Sequence, residues 1–219
     1  MKMILLGPPG AGKGTHAKIL ADKFQAAHLA TGDILRKHIR ETTDLGKQAK
    51  DIIEKGGLVP DDLVNKMMFE EISKAGVNKG FILDGYPRTI GQAEALDGFL
   101  KDKKAKVDVA LNFATSEKVI IDRLSGRRVC TRCGGNYHVR NIPPKKEGVC
   151  DQCGEKLSQR KDDQPETIRH RLETYEKETR PLIQYYSKQG LLHEAPGDYD
   201  IPELQAELKL FFDRLIFKK

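Results

Sequence analysis

One short segment near the start of the chain limits the fold more than any other. The stretch GPPGAGKGT, residues 7–15, follows an apolar run at residues 3–6 and precedes apolar residues at helical spacing. A strand, a glycine-rich turn and a helix in this order predict a loop whose backbone N–H groups converge on a phosphate. Gly7, Gly10 and Gly12 lack a Cβ, so the backbone there can curl and point several N–H groups at the anion.

Two side chains give this loop its chemistry. Lys13 supplies a positive charge for the outer phosphates, and the hydroxyl of Thr15 is placed to bind Mg²⁺. The common form of the motif has Ser or Thr directly after the lysine, whereas here Gly14 intervenes. The alternative is a turn that binds nothing, but glycines at this spacing together with a lysine, between a strand and a helix, favour the phosphate loop.

Asp84 follows a second buried strand, predicted over residues 80–83. An aspartate at a strand end beside a phosphate loop is placed to hold Mg²⁺ through a bound water. The alternative is a turn-forming aspartate before Gly85. The position beside the loop favours the metal-binding interpretation.

Periodicity divides the rest of the chain into alternating strands and helices. We predict helices over 44–54 and 201–217, and others that begin near Ile34, Pro60 and Thr89. Thr31 or Asp33 is the candidate N-cap of the helix near Ile34, and Ser116 is that of a helix over 116–124. A further helix begins near Asp163, its candidate N-cap, and Pro181 kinks or splits it. This alternation predicts an α/β fold with a parallel sheet covered on both faces and ligands at the carboxyl ends of its strands.

All four cysteines lie in residues 126–163, where helical periodicity is lost. They form two CxxC pairs, Cys130 with Cys133 and Cys150 with Cys153, a spacing typical of zinc ribbons. Four thiolates complete a tetrahedral shell, so the metal would be structural rather than catalytic. Disulfides are the alternative, which a reducing cytosol disfavours. Because the shell is already complete, we expect His138 at the surface.

Charge and hydropathy limit the cellular compartments in which we expect the protein. The 219 residues carry a formal net charge of +6, with both signs interspersed. No apolar run approaches the roughly 20 residues of a membrane span, and the N-terminal apolar run is too short for a signal peptide. We therefore expect a cytoplasmic protein without a membrane partner, and a monomer by default.

Several motifs together resemble the adenylate kinase family. They are GPPGAGKGT, the TGD triplet at 31–33, DGYPR at 84–88 with Gln92, and RKDD at 160–163, and the resemblance runs from residue 2 to about residue 215. The cysteines resemble those of the long-lid, zinc-containing members, and Gly14 is also a family feature. The resemblance implies a phosphate-loop core of three layers over 1–29, 60–125 and 164–219, a monophosphate-binding insert over 30–59, and a zinc-containing lid over 126–163.

The resemblance also implies a reaction and its residues. It implies reversible, Mg²⁺-dependent transfer of the γ-phosphoryl group of ATP to AMP, giving two ADP, with lid and insert closing to exclude water. The ATP-binding residues that it implies are Gly10, Ala11, Gly12, Lys13, Gly14, Thr15, Arg123, Arg127, Asn136, Tyr137 and Asp198. Those for AMP are Thr31, Arg36, Gly57, Leu58, Val59, Gly85, Tyr86, Pro87, Arg88, Gln92, Arg160 and Arg171. Those for catalysis are Lys13, Arg88, Arg123, Arg160 and Arg171.

Two alternative functions stay open at this stage. A UMP or CMP kinase would share most of these motifs, but Thr31 and Gln92 resemble the adenine-selecting choices, and the long lid is unlike the pyrimidine enzymes. A zinc-ribbon, nucleic-acid-binding ATPase would use the basic residues of the cysteine window. Sparse aromatics disfavour it, because Tyr137 is the one aromatic ring there that could stack on a base.

Overall fold

The computed structural model describes residues 1–217, with side chains as far as residue 215. The strands are β1 (Lys2–Leu6), β2 (Ala27–Ala30), β3 (Phe81–Asp84), β4 (Val109–Ala114), β5 (Arg127–Cys130), β6 (Asn136–His138), β7 (Leu157–Ser158) and β8 (Leu192–Pro196). The helices are α1 (Lys13–Phe24), α2 (Thr31–Arg40), α3 (Asp44–Glu54), α4 (Asp61–Ala75), α5 (Ile90–Asp102), α6 (Glu117–Ser125), α7 (Pro165–Thr174), α8 (Pro181–Lys188) and α9 (Ile201–Phe217).

Five of the strands form one parallel sheet in the order β2-β3-β1-β4-β8. Leu5 of β1 lies opposite both Asp84 of β3 and Leu111 of β4, so these strands end at the same edge. The loop after β1 and the carboxylate at the end of β3 therefore face one region of space, as ligand sites in parallel sheets require. The predicted α/β class is confirmed.

Both faces of the sheet are covered by helices. Ile4 and Leu6 of β1 pack in a core cluster with residues of α4, α5 and α8, whereas Met3 and Leu5 pack with residues of α1 and α9. Consecutive residues of one strand thus point into two separate cores, which explains why the strand sequence is a continuous apolar run. The result is a three-layer arrangement of helix, sheet and helix.

The cysteine window forms its own small antiparallel sheet, in the order β6-β5-β7. Its interior consists of Cys130, Tyr137, Cys150 and Leu157, with Cys153 against them. Four side chains bury little apolar area, so this sheet needs a further source of stability.

Of the candidate N-caps, Ser116 lies at the predicted position, whereas Thr31, Asp33 and Asp163 are not N-caps. Helix α2 already begins at Thr31, whose hydroxyl donates to Met68 Sδ at 3.4 Å inside the core, and Asp33 pairs with Arg36 instead of capping. Ser116 occupies the N-cap of α6 without a side-chain cap bond. The N-cap of α7 is Gln164, because both carboxylate oxygens of Asp163 bind arginines.

Other boundaries agree closely with the sequence pattern. Helices α3 and α9 have the predicted bounds, and Pro181 begins α8 after a π-helical segment, Tyr175–Thr179, that separates it from α7. Between residues 1 and 217, none of the helices combines the length and apolar character that crossing a bilayer requires.

Candidate active site

A cleft of about 720 Å³ opens at the carboxyl ends of β1 and β3. The phosphate loop forms its floor, and residues of the lid, among them Arg127 and Asn136, form its opposite wall. A smaller cavity of about 70 Å³ adjoins it on the side of α2 and α3. The two cavities share lining residues, namely Gly32, Arg36, Gly56, Leu58, Gly85, Arg88, Arg160 and Arg171.

The phosphate loop has the backbone that its glycines predict. Gly7, Gly10 and Gly12 all have positive φ, and a Cβ on Gly7 would lie 2.8 Å from the carbonyl oxygen of Phe113. Gly12 is the N-cap of α1, so the loop leads directly into a helix N-terminus.

Lys13 is folded back onto this loop. Its Nζ donates to the carbonyl oxygens of Gly7 and Pro8, each at 2.7 Å. Burial lowers the pKa of Lys13 to about 8, although the carboxylate of Asp84 opposes that shift. The ammonium group is thus held by two neutral carbonyls, which an anionic phosphate could replace with stronger charge-assisted bonds.

The presence of glycine at position 14 has a steric explanation in this structure. A Cβ at Gly14 would lie 3.1 Å from Asp84 Oδ2, so glycine lets the carboxylate approach α1 closely. On its other side, Asp84 Oδ2 lies 3.8 Å from His28 Nε2. Burial opposes the charge on Asp84, but His28 and Lys13 keep the pKa of its carboxyl below the usual range. The carboxylate is therefore charged and available for a cation.

Guanidinium groups line the larger cavity and its junction with the smaller one, and most are paired with acids. Arg127 binds Asp163 through two bonds, with Nε to Oδ2 at 2.7 Å, and Arg160 makes a similar two-point contact with Asp162. Arg171 Nη1 donates to Asp163 Oδ1 at 3.1 Å and to the carbonyl oxygen of Asp162 at 2.9 Å.

Burial makes the charged form of several of these guanidinium groups less favourable. It lowers the pKa of Arg36, Arg88 and Arg171, the last to about 10. For Arg160, Asp162 outweighs the burial and raises the pKa. Several crowded, partly desolvated cations form a site that a polyanion would stabilise.

Gln92 of α5 and the backbone of Gly85 hold Arg88 in place. Arg88 donates from its backbone N–H to Gln92 Oε1 at 2.8 Å and from Nε to the carbonyl oxygen of Gly85 at 3.0 Å. Gln92 Nε2 donates to Asp61 Oδ1 at 2.7 Å, and Thr89 Oγ1 donates to Asp61 Oδ2 at 2.6 Å. Each end of the Gln92 amide thus binds a protein group. The residue also lines the smaller cavity, together with Thr31, Gly57, Leu58 and Val59. Tyr86, completely buried, donates to Asn65 Oδ1 at 2.6 Å.

Arg123 ties the phosphate loop to the segment after β8. Its Nη1 donates to the carbonyl oxygen of Gly197 at 2.7 Å, and its Nη2 donates to that of Tyr199 at 2.9 Å. Asp198, which also lines the cleft, accepts from the backbone N–H of Ser116 at 2.7 Å. Both residues line the cleft, and in this structure their side chains bind backbone groups of the protein.

The four cysteine sulfurs all lie within 4.8 Å of one another and could hold a metal ion. Cys130 pairs most closely with Cys153 and Cys133 with Cys150, each at 3.4 Å, so each CxxC turn contacts the other one. Tight turns support both pairs, because Gly134 N–H donates to the carbonyl oxygen of Cys130, and Gly154 N–H to that of Cys150. Four converging sulfurs fit a tetrahedral thiolate metal site.

The expectation that His138 lies at the surface is wrong. The side chain is buried, its Nδ1 accepts the backbone N–H groups of Arg140 and Asn141 at 3.1 Å each, and its Nε2 lies 3.2 Å from the carbonyl oxygen of Asp122. A complete cysteine shell excludes His138 from the metal, but it does not force the ring into solvent. The ring packs against Gly126, at the junction of α6 and the lid, and lines the cleft.

The sequence assigned no role in the cleft to several residues that line it or bind its lining residues. They are His28, Asp33, Asp61, His138, Asp162 and Asp163. The acids each partner a predicted functional residue, so a search for complementary charges near the arginines could have found Asp162 and Asp163. No charge pattern in the sequence indicates Asp61, because its hydrogen bond with Gln92 depends on how α4 packs against α5.

Comparisons with known proteins agree with this geometry. The family model described as adenylate kinase matches residues 5–191. Proteins named adenylate kinase are similar along most of the chain: that of Caldanaerobacter subterraneus subsp. tengcongensis is 48% identical over 209 residues, covering 95% of each chain. That of Caldicellulosiruptor bescii is 49% identical over 208 residues, with 95% of this chain and 97% of the relative covered. That of Clostridium tetani is 52% identical over 197 residues, with 90% and 91% covered.

The match includes both the phosphate loop and the cysteine window, so it is not confined to one motif. By sequence and by the arrangement of its site, the chain belongs to the adenylate kinase family.

Proposed function

We propose that this nucleoside monophosphate kinase transfers the γ-phosphoryl group of ATP reversibly to AMP, giving two ADP. The observation that carries the proposal is a large and a small cavity that meet at one shared set of arginines. Two anionic substrates placed end to end would bring their phosphates together at that junction. Family membership supports the same substrates and supports Mg²⁺ as the partner of ATP.

We assign the larger cavity to ATP and the smaller one to AMP. The phosphate loop, Arg123, Arg127, Asn136, Tyr137 and Asp198 would contact ATP. Thr31, Arg36, the 57–59 segment, the 85–88 turn and Gln92 would contact AMP. Lys13, Arg88, Arg123, Arg160 and Arg171 would neutralise charge on the transferring group.

The chemistry asks mainly for alignment and charge neutralisation. The attacking atom is already a phosphate oxygen of AMP, so the step requires no general base from the protein. Guanidinium groups suit the task because each can bind phosphate oxygens at two points. The acids that pair with them in this structure, Asp162 and Asp163, would offset the positive charge of the arginines and hold their side chains in place until the nucleotides bind.

Two metals complete the proposal. Asp84, through water, and Thr15 would hold Mg²⁺, which supplies charge neutralisation of the ATP phosphates when bound. Cys130, Cys133, Cys150 and Cys153 would hold Zn²⁺, because four thiolates in a tetrahedral shell favour that ion. The zinc would let a lid of very small core move as one rigid body.

We further propose three functional parts: the core over 1–29, 60–125 and 164–219, the insert over 30–59 and the lid over 126–163. Closing of insert and lid would exclude water, which protects ATP from hydrolysis. Lid closure is an established property of adenylate kinases in general. The protein would act as a cytoplasmic monomer without nucleic-acid or membrane partners.

An ADP-formation assay tests this function. ATP, AMP and Mg²⁺ together should give ADP, and omission of any one should abolish it. UMP and CMP serve as competing acceptors, and their turnover at rates matching AMP would overturn the choice of AMP. Salt-sensitive binding of an oligonucleotide without AMP-dependent ADP formation would instead support the nucleic-acid-binding ATPase, which the family match does not favour.

A further inference from the structure

The hydroxyl group of Tyr137 points into the cysteine cluster. The side chain is buried, its Oη lies 3.5 Å from Cys150 Sγ, and the backbone N–H of Asp151 donates to the same Oη at 2.8 Å. Gly135 leaves room for the ring, because a Cβ there would lie 3.3 Å from Tyr137 Cε2 and 3.5 Å from Cys150 Sγ. The ring therefore occupies a fitted place beside one metal ligand.

These contacts determine the direction of the hydrogen bond. The phenol oxygen already accepts the N–H of Asp151, so its proton is free for another acceptor. A metal-bound cysteine is a thiolate and has no proton to give, so Cys150 can only accept. The proton of Tyr137 therefore points at the sulfur.

We propose that Tyr137 is a positioning residue of the metal site, which orients Cys150 by donating a hydrogen bond to its sulfur. The proposal rests on the metal site proposed above. Partners that orient a metal ligand typically change affinity by roughly 10- to 100-fold when they are removed. Because the lid sheet has so small an apolar core, a buried hydrogen bond of this kind contributes strongly to the order of the cysteine cluster.

The same residue joins the metal site to the nucleotide cleft. Tyr137 lies opposite Arg128 in the β5–β6 pair, between Asn136 and His138, and all three residues of β6 line the cleft. The metal thus fixes, through one side chain, the strand that we assign to the ATP side. Because the Tyr137 hydroxyl binds the Cys150 sulfur, the contact with ATP that we assign to Tyr137 would come from its ring or backbone.

Gln152 provides a matched control. Its Oε1 lies 3.5 Å from Cys133 Sγ, the same distance as that between Tyr137 Oη and Cys150, but in an exposed setting. The amide oxygen that faces the sulfur cannot donate to a thiolate, and in this exposed setting water competes for any bond that the amide group makes. Gln152→Ala should therefore leave metal affinity unchanged, whereas Tyr137→Phe keeps the ring and removes the donor alone.

The experiment uses the full zinc-loaded chain and competition with a colorimetric zinc chelator. We expect one zinc per wild-type chain, affinity about 10-fold weaker in Tyr137→Phe, and wild-type affinity in Gln152→Ala. Equal affinity in Tyr137→Phe and the wild type would overturn the role of Tyr137 while leaving the zinc site intact. A wild-type chain that binds no zinc would overturn the metal site itself, so the two failures are distinguishable.

A second measurement needs no variant and covers the case in which Tyr137→Phe does not fold. The wild-type chain loaded with an NMR-active cadmium isotope should show scalar coupling between the metal and the Tyr137 hydroxyl proton through the Cys150 sulfur. A hydroxyl proton that is observed without such coupling, or that exchanges as fast as that of an exposed tyrosine, would contradict the hydrogen bond.

Discussion

At the scale of single residues, Lys13 is the group whose environment most clearly anticipates a ligand. Its ammonium group donates to the neutral carbonyls of Gly7 and Pro8, and burial disfavours its charge. A phosphate in the loop would reverse that disadvantage, because it would supply the opposite charge at short range.

Replacement of this lysine tests its role. Lys13→Met should fold normally and lose about 3 kcal/mol or more of transition-state stabilisation, a fall of at least about 100-fold in kcat, since a charge at the transferring group is removed. Lys118→Met, an exposed lysine on α6, is the control and should keep wild-type rates. Near-native turnover of Lys13→Met would contradict the assignment.

The pKa of Lys13 also predicts a pH dependence. The ammonium form is the active one and its pKa is lowered to about 8, so kcat/KM for ATP should fall as pH rises through about 8. Bound phosphate stabilises the charged form, so the corresponding fall in kcat should lie at higher pH. Steady-state rates from neutral to alkaline pH measure both. A kcat/KM that stays level well above pH 8 would show that Lys13 does not titrate there.

Gly14 gives a second test, with a control of the same chemistry. Gly14→Ala places a Cβ 3.1 Å from Asp84 Oδ2, so the carboxylate must shift and the Mg²⁺ concentration for half-maximal rate should rise roughly 10-fold. Gly98→Ala, on α5, meets no atom within 4 Å and should only stabilise the fold by about 0.5–1 kcal/mol. An unchanged Mg²⁺ dependence in Gly14→Ala would remove Asp84 from the metal-binding role.

At the scale of elements, the lid sheet contrasts with the main sheet. The five parallel strands are covered by two apolar clusters, whereas the apolar cluster of the β5, β6 and β7 sheet has four buried members. A metal bound by cysteines from two turns would supply the missing stability, since binding to the folded form alone adds directly to its free energy.

Loss of the metal should therefore act on the lid alone. Cys130→Ser, or a strong chelator, should lower the Tm of the lid and expose residues 126–163 to proteases, while the far-ultraviolet circular dichroism of the core persists. Ser158→Ala, a change in the same sheet without a ligand sulfur, serves as the control. Collapse of the core signal on chelation would mean that the metal does more than organise the lid.

At the scale of the whole molecule, the sequence predicted the features that depend on local pattern. The strand run at residues 3–6, the glycine loop, the bounds of α3 and the CxxC pairs each carry their signal within a few neighbours. Asp163 shows where this reasoning stops: its spacing to Glu166 predicts a helix cap, yet arginines from β5 and α7 take its carboxylate. His138 is a similar case, because its burial depends on how the lid base meets α6.

The central claim is that two nucleotides meet end to end at the arginines shared by the two cavities. The most direct measurement is a crystal structure with a bisubstrate mimic that joins two adenosines through five phosphates. We expect one mimic per chain, with one adenosine in each cavity and its phosphates between Lys13, Arg88 and Arg171. A mimic bound elsewhere, or with both adenosines outside these cavities, would contradict it.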